Sequence, residues 1–397
     1  MRRLLPLVVL AACWCAPARA ETVLVLPFFN QSSSANLDWV SESVCQTISE
    51  ALAAQGKLVV EREDRQEAYR RLSIRPNAHL THASVIRVGE ALDADEVVYG
   101  QFQFTPAGEG APEGSRGSLS FTAWTLSMRR MRQEPAFIES GQLDSLAALQ
   151  TRLAWQVLGY LDPRATPPAE QFVKLHPPVR LDAMENYTRG LLADSPEQKH
   201  RYFAQAARLD QNFAGPAFEL GRLYWGRKEY RLAAQWFAKV KSPAQRYMEA
   251  SFLLGLCHYY TGDYASAQQA FELVALAVPL NEVLNDLAAA QSKRGLPGAL
   301  ENFRKALEGD PNDPDYHFNT GYALWKRGDF AEAAESFRAV LDRNPEDAQA
   351  TLLLGRCLAR NGPRAGEIKE GFERVKLNYE EGAWRQLKAA LAGKKPR

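Results

Sequence analysis

The side chains that could do chemistry are few, and their spacing offers little. His79 and His82 stand three apart in a loop-like stretch. A metal ion would want a third ligand from a Cys, a carboxylate or another His, and none stands at ligand spacing. Gly108, Gly110, Gly114 and Gly117 mark a flexible hairpin connection. They lack the Lys and Ser/Thr with which a phosphate loop grips its ligand. Ser32–Ser34 and the scattered histidines form no local triad, and no HExxH, GxSxG, Walker loop or glycosidase-like carboxylate pair is present. Cys45, Cys257 and Cys357 each fall in an apolar helical pattern, where a thiol serves as a small buried hydrophobe. Their odd number and wide spacing, without a CxxC, make no disulfide framework. No catalytic, cofactor-binding or metal residue is assigned, and a non-enzymatic protein is expected.

The chain that must position any site has 397 residues, 46% of them hydrophobic and 24% charged. That length predicts two or three domains, and that composition is of a folded rather than a disordered chain. The net charge of +1 gives no global pull toward nucleic acid. Beyond Leu4–Ala12 no run approaches the ~18 apolar residues of a membrane span.

Residues 1–20 read as an export leader. Arg2 and Arg3 make a basic start, Leu4–Ala12 an apolar stretch, and Ala18-Arg19-Ala20 a small-x-small cleavage site. A second reading stands beside it: Leu10-Ala11-Ala12-Cys13 resembles a bacterial lipobox, with Cys13 the lipidated residue. Either reading predicts a periplasmic or outer-membrane-associated protein, with membrane contact only through a lipid at Cys13.

Residues 21–162 predict a first domain. Thr22–Phe28 is a buried strand, Leu37–Leu52 an amphipathic helix, Lys57–Glu61 a second strand, and Glu63–Leu72 and Ala83–Leu92 helices. Val97–Phe104 and Ser118–Met128 are strands joined by the Gly/Pro-rich loop. A short strand near Ala136–Glu139 and a helix over Leu143–Leu161 close the domain. This order predicts an α/β sandwich with one mixed sheet. Glu61, Glu63, Asp64 and Glu67 interleave with Arg62, Arg65, Arg70 and Arg71, which predicts a solvated, ion-paired helix face. The segments Val23–Asn30, Leu37–Leu52, Leu58–Leu72 and Val88–Phe102, with Gly89-Glu90-Ala91-Leu92-Asp93-Ala94-Asp95 before a strand, resemble the N-terminal domain of TolB and envelope domains of the FlgO and CsgG type. That resemblance implies an assembly or interaction domain of the bacterial envelope.

Five prolines between Pro163 and Pro178 predict a semi-rigid linker over 163–180. From 181 to 393 the chain repeats itself. Leu220-Gly221, Leu254-Gly255, Leu287-Ala288, Thr320-Gly321 and Leu354-Gly355 recur about every 34 residues. Phe203, Phe237, Phe271, Phe303, Phe337 and Phe372 follow the same period, as do Pro279, Pro311 and Pro345. Leu254-Gly255, Gly262, Tyr264, Ala267, Phe271 and Pro279, with their counterparts from Thr320 to Pro345, resemble the tetratricopeptide repeat (TPR). The overall expectation is therefore α+β: an α/β domain, then an all-α solenoid of five repeats, a degenerate first one, and a capping helix over Glu380–Leu391.

The resemblance implies a concave face built from the first helix of each repeat. Phe218, Arg222, Trp225, Phe252, Leu256, Tyr259, Asn285, Phe318, Tyr322, Trp325 and Arg356 fall there. Aromatics and Arg are common interface anchors, so these form a candidate groove for a protein or peptide. Some TPR proteins clamp a peptide's terminal carboxylate with Lys and Asn. Asn319 and Lys326 are near such places, but without the full set no chaperone-tail binding is expected. The residues thus predict a protein-binding scaffold or adaptor of the cell envelope. The alternative is a self-assembling component of an outer-membrane machine acting through the α/β domain. The oligomeric state is left open.

Overall fold

The computed structural model describes residues 21–108, 116–134, 136–164, 166–244, 246–364 and 371–379. The leader with Cys13, the centre of the Gly/Pro-rich loop and the helix expected over Glu380–Leu391 lie outside the described residues.

The first domain is a mixed sheet with helices on both faces. β1 (Thr22–Val25) and β2 (Phe29–Asn30) lead into α1 (Trp39–Ala54), followed by β3 (Leu58–Val59), α2 (Arg62–Arg71) and α3 (His82–Ala91). β4 (Glu96–Thr105), β5 (Ser118–Ser127), β6 (Arg132–Gln133), β7 (Phe137–Gln142) and α4 (Leu146–Leu161) complete it. β1 lies parallel to β3 and β4, and β2 also runs parallel to β4, while β5 pairs antiparallel with β4, β6 and β7. Alternation along the strands divides the core in two. Val23, Val25 and Val98 pack with α1 and α4; Leu24, Leu26 and Val97 pack with Val85 and Val88 of α3.

One expectation for this domain is corrected. Arg65 does not lie on a solvated face: it is 5% exposed and turned toward α1. There Arg65 and Arg62 share the carboxylate of Glu42, at 2.5 and 2.9 Å. Only Arg70 and Arg71, both paired with Glu67, keep the exposed arrangement. Charge spacing on a helix marks which residues pair with each other, not which turn faces a neighbour.

The Pro-rich joint contains α5 (Ala169–Leu175), whose Phe172 is fully buried against the first domain's core. Trp155 Nε1 donates to Pro167 O nearby. Helix pairs follow: α6 (Leu181–Leu192) with α7 (Pro196–Leu209), and α8 (Ala214–Gly226) with α9 (Tyr230–Phe237). Next come α10 (Tyr247–Tyr260) with α11 (Tyr264–Ala277), α12 (Asn281–Lys293) with α13 (Ala299–Gly309), and α14 (Pro314–Arg327) with α15 (Phe330–Arg343). α16 (Ala348–Leu358) has no second helix among the described residues. The recurring Gly and Phe meet inside each pair except α12 with α13, where Ala288 takes the glycine's place: a Cβ on Gly221 would stand 2.5 Å from the Phe237 ring, and one on Gly255 2.7 Å from Phe271. α6 also packs on α1, and Arg62 and Arg189 donate across the boundary to Leu191 O and Asn36 O.

Phe372 departs from the periodic expectation. Its period places it on the second helix of a sixth repeat. It lies instead in a stretch without helix or strand, residues 371–379, that crosses the first helices of the pairs from α14 to α10.

Candidate functional site

The groove is built from the first helices of successive pairs, and the chain's own segment Gly371–Tyr379 fills it. Gly371 takes a positive φ of 52°, which turns the backbone into the groove; a Cβ there would collide with Glu373 and Lys293. Phe372 then meets Tyr322 of α14 edge-on, ring centroids 5.7 Å apart. Seven residues later Tyr379 meets Phe252 of α10 at 4.9 Å. The segment therefore runs against the order of the repeats.

Between those rings the groove reads main chain and charge. Asn319 Oδ1 accepts from Arg374 N at 2.8 Å, and Asn319 Nδ2 donates to Arg374 O at 2.7 Å. Asn285 Nδ2 donates to the same carbonyl at 2.9 Å, and Asp286 Oδ1 accepts from Lys376 N at 2.8 Å. These bonds supply the partners an extended backbone would otherwise find in a sheet.

The Glu373 carboxylate enters a basic pocket, 2.9 Å from Lys326 Nζ, 3.3 Å from Lys293 Nζ and 2.7 Å from Ser292 Oγ. Burial works against its charge, but Lys326 and Lys293 outweigh burial and hold it below the usual carboxylate range. One residue on, Arg374 lies over the Phe318 ring at 3.6 Å and reaches Asp315 and Asp347 at 3.4 and 2.7 Å. Lys376 reaches Asp313 and Asp315, each at 2.7 Å. Burial opposes its charge too, and the two aspartates overcome it and raise its pKa. Asp286 is fully buried, and burial pushes its pKa well up despite the Lys376 amide and Asn285.

The residues marked from the sequence divide into three groups. Phe252, Phe318 and Tyr322 contact the segment, and Asn285 holds its main chain. Phe218, Leu256, Tyr259 and Trp325 are buried. Phe218 lies between Phe237 and Arg246, and Trp325 donates to Asn361 O beneath Arg356. Phe218, Phe252, Tyr259, Phe318, Tyr322 and Trp325 are covered by neighbouring helices or by the segment. Arg222 and Trp225 line a cleft of ≈1550 Å³ between α2 and the first repeats, where Arg222 comes within 3.9 Å of Glu63.

Sequence reasoning passed over Asp286, Ser292, Lys293, Asp313, Asp315 and Asp347, and it discounted Asn319 and Lys326. The available signal was Gly362-Pro363 and Gly371, breakers on either side of the place where a sixth second helix would start.

A family description reading tetratricopeptide repeat matches residues 288–340 and again 320–370, and a second of the same description matches 249–279. Residues 249–370 of the helical array carry tetratricopeptide repeats. Among curated proteins, the chain is similar to Protein FlbA of Caulobacter vibrioides, 27% identical over 206 residues, covering 51% of this chain and 33% of FlbA. It is also similar to protein O-mannosyl-transferase TMTC1 of Homo sapiens, 26% identical over 176 residues, covering 34% of this chain and 20% of that protein. The chain thus spans about a third and a fifth of the length of these relatives. Similar solved structures include MamA from residue 41 onward of Desulfovibrio magneticus RS-1, 26% identical, covering 42% of this chain and 95% of that one, TM-score 0.38. YrrB, titled a TPR protein with an unusual peptide-binding site, is 23% identical over 48% of this chain and 91% of that chain, TM-score 0.35. The TPR stack is a fold for binding proteins rather than for catalysis. Among the described residues no helix is long and apolar enough to cross a membrane.

Proposed function

We propose that this protein is a non-enzymatic scaffold or adaptor that receives an extended segment of a partner protein in the concave groove of its TPR stack. The observation that carries this reading is the amide pair Asn285 and Asn319, which holds a main chain by both its N–H and its C=O. Main-chain bonds give affinity for any extended peptide, and the flanking charged and aromatic side chains select which one. An envelope setting is part of the proposal. It is supported by the leader-like residues 1–20 and by the resemblance of residues 23–102 to TolB-type envelope domains.

The test is in-cell photocrosslinking and pull-down of the full-length chain beside an Asn285→Ala/Asn319→Ala variant of unchanged helical content. A partner captured by the first and lost by the second supports groove binding. A partner captured equally by both removes the groove from the function.

A further inference from the structure

The occupant of the groove is part of the same chain, and its chemistry describes what else could sit there. We infer that Phe372–Tyr379 is a built-in competitor. The partner then enters by displacing it with an extended segment of matching order: an acidic residue followed directly by a basic one, a second basic residue two positions on, and aromatic side chains at the two ends. This rests on the groove reading above and adds the partner's chemistry and the state in which the groove waits.

Three observations carry it. First, the pockets are opposite in sign and adjacent. Lys293 and Lys326 surround Glu373, while Asp313, Asp315 and Asp347 surround Arg374 and Lys376. A segment with the reverse order of charge would place like charges together, which selects against it. Second, the segment is held by side chains of the groove and not by a strand ladder or a helix of its own. Third, its centre is ionic although it is buried: Glu373 is 1% exposed at the side chain. An apolar filler would stabilise a permanent core at least as well, because buried ion pairs add specificity more than stability. Such a contact suits exchange.

Tethering sets the threshold. A short tether gives an effective concentration on the order of 1 mM, so a free peptide of ~10 μM intrinsic affinity binds roughly 100-fold more weakly while the segment is home.

The test uses the full-length chain and a fluorescein-labelled peptide of residues 371–379, followed by anisotropy. Arg374→Glu/Lys376→Glu places two new carboxylates against Asp313, Asp315 and Asp347, turning all four ion pairs into like-charge contacts, and expels the segment while leaving every groove residue intact. It should bind the peptide roughly 100-fold more tightly than the wild type, and a peptide with Glu373 and Arg374 exchanged should not bind. Equal affinities in wild type and variant overturn the built-in competitor, and if Asn285/Asn319-dependent crosslinks persist, the groove reading survives. A folded variant that binds no peptide overturns both. A measurement without substitution guards against misfolding: hydrogen exchange in the wild type. The Arg374 and Lys376 amides should be protected and lose protection when millimolar unlabelled peptide is added. Amides unprotected from the start, amides unmoved by peptide, or protection that requires a dimer would each overturn the inference.

Discussion

Asn319 meets the main chain of Arg374 with both ends of its amide, accepting from the N–H at 2.8 Å and donating to the C=O at 2.7 Å. The residues lie 55 positions apart, yet the contact has the form of a strand pairing made by one side chain.

Asn319→Ala removes both bonds, at about 1 kcal/mol each, so the segment's hold on the groove weakens roughly 30-fold. Hydrogen exchange at the Arg374 amide should quicken by that factor while exchange in α4 stays as it was. An unchanged rate at Arg374 would show that the amide pair carries no weight.

Acid should release the segment. Glu373 is held below the ordinary carboxylate range, so its contribution is full above ~4.3 and is lost as the pH falls through its depressed value. Asp286 has the opposite sign. Burial raises its pKa, so its contribution is present below the free carboxylate range of ~3.9 and is lost as the pH climbs through the raised value. Protection of the Arg374 amide should therefore fall off on both sides, and Asp286→Asn should flatten only the upper side. Matching upper limbs in the two proteins would exclude Asp286 as the cause.

Glu42→Ala strands Arg65 in the core between α1 and α2 and should cost about 3–5 kcal/mol of stability in urea unfolding. Glu67→Ala breaks two exposed pairs with Arg70 and Arg71 and should leave the transition nearly where it was. A similar cost for both would mean that Arg65 finds other support.

The repeat glycines should behave oppositely at two places in one series. Gly255→Ala drives a methyl into Phe271 and should destabilise by about 1–3 kcal/mol. Among the described residues, no atom beyond Gly355's own helix backbone and chain neighbours lies within 4 Å of the added Cβ, and Gly355→Ala should gain up to ~1 kcal/mol from helix propensity. Thermal melts of the two variants check this, and a loss at Gly355 would imply a neighbour packed there.

Thiol chemistry should be silent in the native state. Burial pushes Cys45 and Cys257 up to about 12 and Cys357 up to about 11. At pH 8 a maleimide should modify none of the three until denaturant is added, and rapid native labelling at any of them would contradict the buried setting.

The first domain was legible because its strands are short apolar runs closed by breakers such as Pro27 and Gly56, and because its helices repeat apolar residues at three and four. The array was legible because Gly221, Gly255 and Gly321 each have a Phe to meet one period-fixed distance along the chain. Arg65 was misjudged since helical spacing pairs it with Glu61 as readily as tertiary packing pairs it with Glu42. Phe372 was misjudged because a step of 35 residues continued a series that the chain had in fact left. Asp313 and Asp347 read as ordinary helix starts. Their second partners come from a segment that threads back across three repeats, and no local pattern announces a long-range pairing.

Those two aspartates draw the groove and its frame into one equilibrium. Asp313 accepts from the amides that open α14, and Asp347 accepts from the amide of Ala350 that opens α16. The same carboxylates face Lys376 and Arg374. When the occupant leaves, each cap keeps its amides and loses its cation, so the first turns of α14 and α16 feel the vacancy directly. Whatever fills the groove also stiffens the far end of the stack. On the proposed groove reading, a partner segment that replaces the occupant would be felt as a change in the rigidity of those last repeats.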